Sequence, residues 1–183
     1  MTLEAWKNTS PSVKRILTIV VFFLFSTMIA VAGVLTPLSP EESQTRSEDL
    51  KQLQDEIRGL DVWDMKVYIF ANNFRICLMM FIPLAGPFIG TYVLYNTGVF
   101  IGAESTTMNV PGLLILFSLF LFPFTWMEFI AYAIGLSGSV WLTWCIVRRK
   151  WKSEIKMTAI LIIICAVMLF VAALIEALLI ASY

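Results

Sequence analysis

The chain has 183 residues, 59% of them hydrophobic and 14% charged, with 13 basic and 13 acidic side chains in balance. A soluble domain is nearer half apolar and a quarter charged, so a soluble globular fold is excluded. Histidine is absent, which removes the commonest metal ligand and the usual general base at neutral pH.

Apolar runs cover residues 16–35, 76–95, 113–147 and 157–180. Each can span a hydrocarbon core of roughly 30 Å, which needs about 20 residues. The runs do not alternate apolar and polar positions as a membrane β-barrel would. The fold class that follows is all-α, a polytopic membrane helical bundle. Cys77, Cys145 and Cys165 all fall within these runs, far apart in sequence. They suit small apolar filler, not a zinc or disulfide framework, and no metal or cofactor is expected.

In chain order, residues 1–15 carry Lys7, Lys14 and Arg15 against Glu4, and 16–35 then runs without a charge. Ala30-Val31-Ala32 has the small-residue pattern of a signal-peptide cleavage site, but the apolar stretch is longer than the usual signal core. The segment 1–35 is therefore predicted to be a cytoplasmic N-terminus with an uncleaved signal-anchor helix. The sequon Asn8-Thr9-Ser10 falls on the side predicted to be cytoplasmic and is read as chance.

Residues 36–66 form one acidic insertion, eight acids against four bases, a net charge of −4. Thr45 with Glu48 suits a capping box. Leu50, Leu53, Ile57 and Leu60 recur at three- and four-residue spacing and give a narrow apolar stripe. Two readings stay open: a helix packed on the membrane or its own bundle, or a docking helix for a partner. Trp63 and Tyr68 fall where an aromatic belt belongs.

Residues 67–183 are predicted to hold four further membrane helices. The first is expected over 67–95, kinked by Pro83 and Pro87. Gly86 with Gly90, and Gly98 with Gly102, form G-x-x-x-G faces that let helix backbones approach closely in lipid; they serve packing within the bundle or a homo-oligomer equally well. A connector is expected over 96–111. The stretch 112–147 exceeds one span, so Pro123 is predicted to mark a tight turn between two helices. Gly135 and Gly138 give the second of these a close-packing side. Arg148, Arg149, Lys150, Lys152 and Lys156 against Glu154 make a loop of net charge +4 before the last span. Its position between two spans suits a topogenic role and not nucleic-acid binding.

By charge bias the N-terminus and the 148–156 loop are cytoplasmic and the insertion lies outside. This predicts about five transmembrane helices with an extracytoplasmic C-terminus in the cell membrane. On that topology Asn72, Asn73 and Arg75 share a depth with Glu128 and Glu176. Intramembrane charge is costly and normally paired, so Arg75 is expected to pair with an acid, Glu128 by preference. The cluster either fixes helix register or serves as a functional polar site.

Ala71-Asn72-Asn73-Phe74-Arg75, Tyr95-Asn96-Thr97-Gly98 with Gly102, Pro123 through Glu128, and Ile175-Glu176-Ala177 together resemble the stage II sporulation protein M family over about residues 60–180. The resemblance implies a multi-span helical membrane protein without catalytic chemistry of its own, related to proteins that help assemble a cell-wall-degrading complex. The family's Pro-His-Gly stands here as Pro123-Phe124-Thr125, so no role of that histidine carries over.

Three functions compete. A non-catalytic scaffold or accessory subunit of a larger membrane complex is favoured by the small-residue faces, the acidic helix and the lack of a catalytic residue set. A permease-like transport component is favoured by broken helices and buried charges. A carboxylate hydrolase built on Glu128 and Glu176 lacks a nucleophile or ligand set. The partners expected are the lipid bilayer and other membrane subunits.

Overall fold

Ser10 and Pro11 set the start of the first helix, α1 (Pro11–Val34): the Ser10 hydroxyl accepts from the Val13 amide, and Pro11 sits in the first turn, where no amide donor is needed. The structure, a computed structural model, describes residues 9–182. Glu4, Lys7 and the Asn8 of the sequon lie outside the described residues.

The acidic insertion forms α2 (Pro40–Arg58). Its capping box is Ser39 with Glu42 and not Thr45 with Glu48. The Ser39 hydroxyl accepts from the Glu42 amide at 3.2 Å, and the Ser39 amide donates to Glu42 Oε2 at 3.0 Å. That amide bond, with the Ser39 hydroxyl, holds the Glu42 carboxyl below the usual range. Thr45 lies inside the helix and donates to the Glu41 carbonyl. Because the helix starts at Pro40, its buried positions are Ser43 and Ser47. Ser47 donates to Glu104 Oε2 at 2.8 Å, and Arg46 lies over the Phe100 ring. Small hydroxyls thus bring α2 down onto the bundle. Ile57 and Leu60 pack beside Met65, Ile69, Ala173 and Ala177; Leu50 is half-buried and Leu53 exposed.

The helix expected over 67–95 is two helices, α3 (Val62–Met80) and α4 (Ala85–Met108). Pro83 and Pro87 each remove an amide from the helical ladder, and each disfavours helical backbone in the residue before it. Leu84 takes φ 64°, and the chain reverses instead of kinking. The reversal is held from outside: the Leu84 amide donates to Thr143 Oγ1 at 2.9 Å, and Ser139 Oγ donates to the Ile82 carbonyl at 2.7 Å. The connector expected over 96–111 is helical as far as Met108. Asn109, at φ 55° and ψ 40°, ends it in the left-handed conformation that Asn tolerates.

A short helix follows, α5 (Gly112–Leu119). The helix expected before the turn at Pro123 is present, but its 8 residues rise only about 12 Å, too little to cross a bilayer alone. Pro123 does begin a helix, α6 (Pro123–Val147), and the basic link leads into α7 (Trp151–Ala181). Among the described residues there are seven helices and no strand. By length and composition α1, α6 and α7 can cross a membrane.

Contacts fix the directions. Met65 and Ile69 of α3 meet Ala173 and Ala177 of α7, and Phe70 meets Phe170, so these helices are antiparallel. Thr18 of α1 bonds Ser137 of α6 while Phe23 stacks on Trp126, again antiparallel. The starts of α1 and α7, the 81–84 reversal and the end of α6 therefore gather at one end, the basic end. The ends of α1, α4 and α7 and all of α2 gather at the other, the acidic end. Between them lies a core of Cys77, Met80, Leu94, Leu136, Cys165 and Leu169.

Glycines set the closest helix approaches. A Cβ on Gly98 would lie 2.9 Å from the Gly33 Cα, and one on Gly102 2.9 Å from the Val34 carbonyl oxygen. Here α1 and α4 touch backbone to backbone. Gly86 faces Met80 and Ser139, Gly90 faces Leu136, Gly135 faces Met80 and Cys77, and Gly138 faces the Phe81 ring. All six glycines singled out from sequence lie against this chain's own helices.

Candidate functional site

Three groupings of polar side chains matter here, set by helix phase. On α3 the buried positions include Cys77 and Met80, four and seven residues beyond Asn73, and Asn73 shares their face. Its Nδ2 donates to Glu128 Oε1 of α6 at 2.6 Å. One turn deeper, Cys77 Sγ and Cys165 Sγ both donate to the Ala131 carbonyl, at 3.6 and 3.7 Å. Glu176 of α7 and Tyr132 of α6 are near enough to interact electrostatically with Glu128. Thus α3, α6 and α7 converge on a polar core of Asn73, Glu128, Tyr132 and Glu176.

Arg75 is not in it. Two residues turn an α-helix by about 200°, so Asn73 and Arg75 cannot both face inward. Arg75 and Asn72 are exposed on the outer side of α3. The Arg75 Nη2 donates to Asn72 Oδ1 at 3.5 Å, a long bond to a neutral acceptor. The expected Arg75–Glu128 pair does not form; Glu128 takes its donor from Asn73. The signal was readable: the 73, 77, 80 spacing puts Asn73 in register with the core and Arg75 out of it.

The third place is at the basic end. Arg15 Nη2 pairs with Glu154 Oε2, their side chains 20% and 7% exposed. The Arg15 guanidinium stands over the Trp141 ring at 5.0 Å. Trp141 Nε1 donates to Thr18 Oγ1 at 3.0 Å, and Thr18 shares a 2.9 Å bond with Ser137. Cys145 Sγ points to the same carboxylate at 3.9 Å. This knot joins the starts of α1 and α7 to the end of α6. Sequence reasoning assigned Arg15 and Glu154 only as topogenic charges. A lone acid inside a basic loop was the signal that an ion pair stood there.

A second acid drawn into the fold is Glu104, 8% exposed, which receives Ser47 from α2 across the acidic end. Among the described residues no three His, Cys, Asp or Glu side chains come together to hold a metal ion. Paired carboxylates and one tyrosine without a nucleophile or base beside them can order helices or conduct a proton or cation.

The family model described as stage II sporulation protein M matches residues 18–179. No curated protein and no solved structure matches the chain. The match spans nearly the whole chain, and the chain belongs to the stage II sporulation protein M family.

Proposed function

We propose that this chain is a non-catalytic multi-pass membrane protein that serves as an accessory or scaffold subunit of a larger membrane complex. It crosses the bilayer five times, through α1, α3, α4, α6 and α7, with the basic end cytoplasmic and the C-terminus outside. The 81–84 reversal supports this count, because it brings α3 and α4 back beside the ends of α1 and α6. The basic loop supports the orientation, since short Lys- and Arg-rich loops stay in the cytoplasm.

The observation that carries the subunit reading is the outward pair Asn72 and Arg75. An arginine facing lipid costs roughly 2.5–3.5 kcal/mol at a helix centre even on the gentler insertion scales. Among the described residues no acid bonds to it, and this supports a partner on another molecule: a membrane helix carrying a carboxylate at the same depth. Gentle purification from the native membrane tests this. The wild type is expected to bring a membrane partner with it, and Arg75→Leu with Asn72→Leu to lose that partner while staying inserted. A wild type that migrates alone in every mild detergent removes the reading.

A transport component is the second reading, favoured by the proximity of Glu128 and Glu176 inside the bundle. It predicts that Glu128→Gln alters ion or solute flux while the complex stays whole.

A further inference from the structure

Glu128 and Glu176 converge because α6 and α7 run antiparallel. The Cys165 thiol meets the Ala131 carbonyl at 3.7 Å, which sets the register of the two helices. Glu128 lies one turn from Ala131 toward the acidic end. Glu176 lies about three turns beyond Cys165 on the same face of α7. Helical side chains lean toward the N-terminus of their own helix. Glu128 therefore leans toward the acidic end and Glu176 back toward the basic end, and the two carboxylates come within electrostatic reach of each other. Among the described residues no cationic side chain bonds either one; Arg75 is outside with Asn72. Tyr132, one turn along α6 from Glu128, is 7% exposed, and its hydroxyl has no hydrogen-bond partner among the described residues. It too lies within electrostatic reach of both carboxylates.

Like charges repel strongly in a low-dielectric interior, and a buried hydroxyl without a partner is costly. A cation answers both, because it is ligated by the carboxylates and by the hydroxyl oxygen together. The donors are all oxygen, which selects a hard ion over a soft one. Two carboxylates and a hydroxyl fall short of the roughly six to eight oxygens that calcium takes, and magnesium sheds its waters reluctantly. Both carboxylates are half-buried, so an ion can reach them and keep water in its shell. We propose that Glu128, Glu176 and Tyr132 bind an alkali-metal cation, with Asn73 positioning the Glu128 carboxylate through its 2.6 Å hydrogen bond. This inference rests on the transport reading above, whose site it fills with a named class of ion, so binding and flux are measured apart.

The test titrates the purified protein in detergent with sodium, calcium or choline chloride at matched ionic strength. Binding of radioactive sodium and thermal unfolding are read together. Wild type should bind sodium saturably and melt at a higher temperature in sodium than in choline. Glu128→Gln and Glu176→Gln should each abolish that binding. Tyr132→Phe keeps the ring in the core and should weaken it. Asn73→Ala should weaken it about tenfold, the lower end of the loss for a residue that orients a metal ligand. Glu104→Gln removes an acid at the acidic end, away from the cluster, and should leave sodium binding unchanged. The proposal fails if choline stabilises the protein as well as sodium does, if calcium alone binds saturably, or if Glu128→Gln and Tyr132→Phe both bind sodium as wild type does. Flux into sealed vesicles is scored separately. Saturable sodium binding without sodium flux supports the site and removes the transport reading, whereas flux without saturable binding overturns the site.

Discussion

The basic-end knot and the outer face of α3 each hold an arginine, and the two are handled in opposite ways. Arg15 is enclosed by Trp141 and Glu154, and its acid is itself almost fully buried. Arg75 stands on the surface with a neutral amide 3.5 Å away. The first arginine links α1, α6 and α7 and so belongs to the fold. The second is exposed and bonds a residue of its own helix. On the proposed five-span topology that surface faces lipid, where charge is costly, and the proposal places its partner outside the fold.

The largest expected effect tests the first half of that contrast. Arg15→Ala leaves the Glu154 carboxylate buried, with its Oε1 already lacking a partner among the described residues. Breaking a buried pair from one side costs roughly 3–5 kcal/mol. Unfolding in detergent should show a loss of that order for Arg15→Ala. Arg15→Ala with Glu154→Gln should lose clearly less than the sum of the two single changes. Simple additivity would mean that the pair is hydrated and does not tie the helices.

A smaller effect is expected at the interior cluster. Asn73→Ala removes the hydrogen bond to Glu128 and leaves a half-buried acceptor without that donor, a cost of about 1.5 kcal/mol. Its effect should be absorbed when Glu128→Gln is made with it, because the pair is a unit. If Asn73→Ala costs nothing, Glu128 is satisfied by Tyr132 or by solvent, and the interior cluster is looser than the knot.

How these regions were legible differs for a physical reason. Helix content, the start at Pro123 and the bundle architecture follow from apolar runs and prolines, which act locally. The glycine faces were visible because a small side chain at four-residue spacing has few other uses. Reversal at Leu84 was not visible, because Pro83 and Pro87 permit either a kink or a turn. The choice is made by Ser139 and Thr143, over fifty residues away. Helix α4 was hidden for a similar cause: Asn96, Thr97, Ser105 and Thr106 read as a connector, yet each hydroxyl or amide side chain bonds back to its own helix. Ser43 and Ser47 were passed over for the leucine stripe beside them, although the partner of Ser47 is a buried acid and polar contact decided which face docks.

The smallest expected effect is the one that decides the contrast. Arg75→Ala removes an exposed side chain whose hydrogen bond among the described residues is to Asn72, so the isolated protein in detergent should change by no more than about 0.5 kcal/mol. Combined with Glu128→Gln or Glu176→Gln, it should add to each within about 0.5 kcal/mol, as sites without shared partners do. The same substitution in the native membrane should detach the proposed partner. The two readouts separate cleanly, because detergent solvates an exposed guanidinium while the bilayer core does not. A loss of 3 kcal/mol in detergent, coupled to Glu128, would mean that Arg75 turns inward and pairs within the chain. Both arginines would then belong to the fold, and the outer face of α3 would need no partner at all.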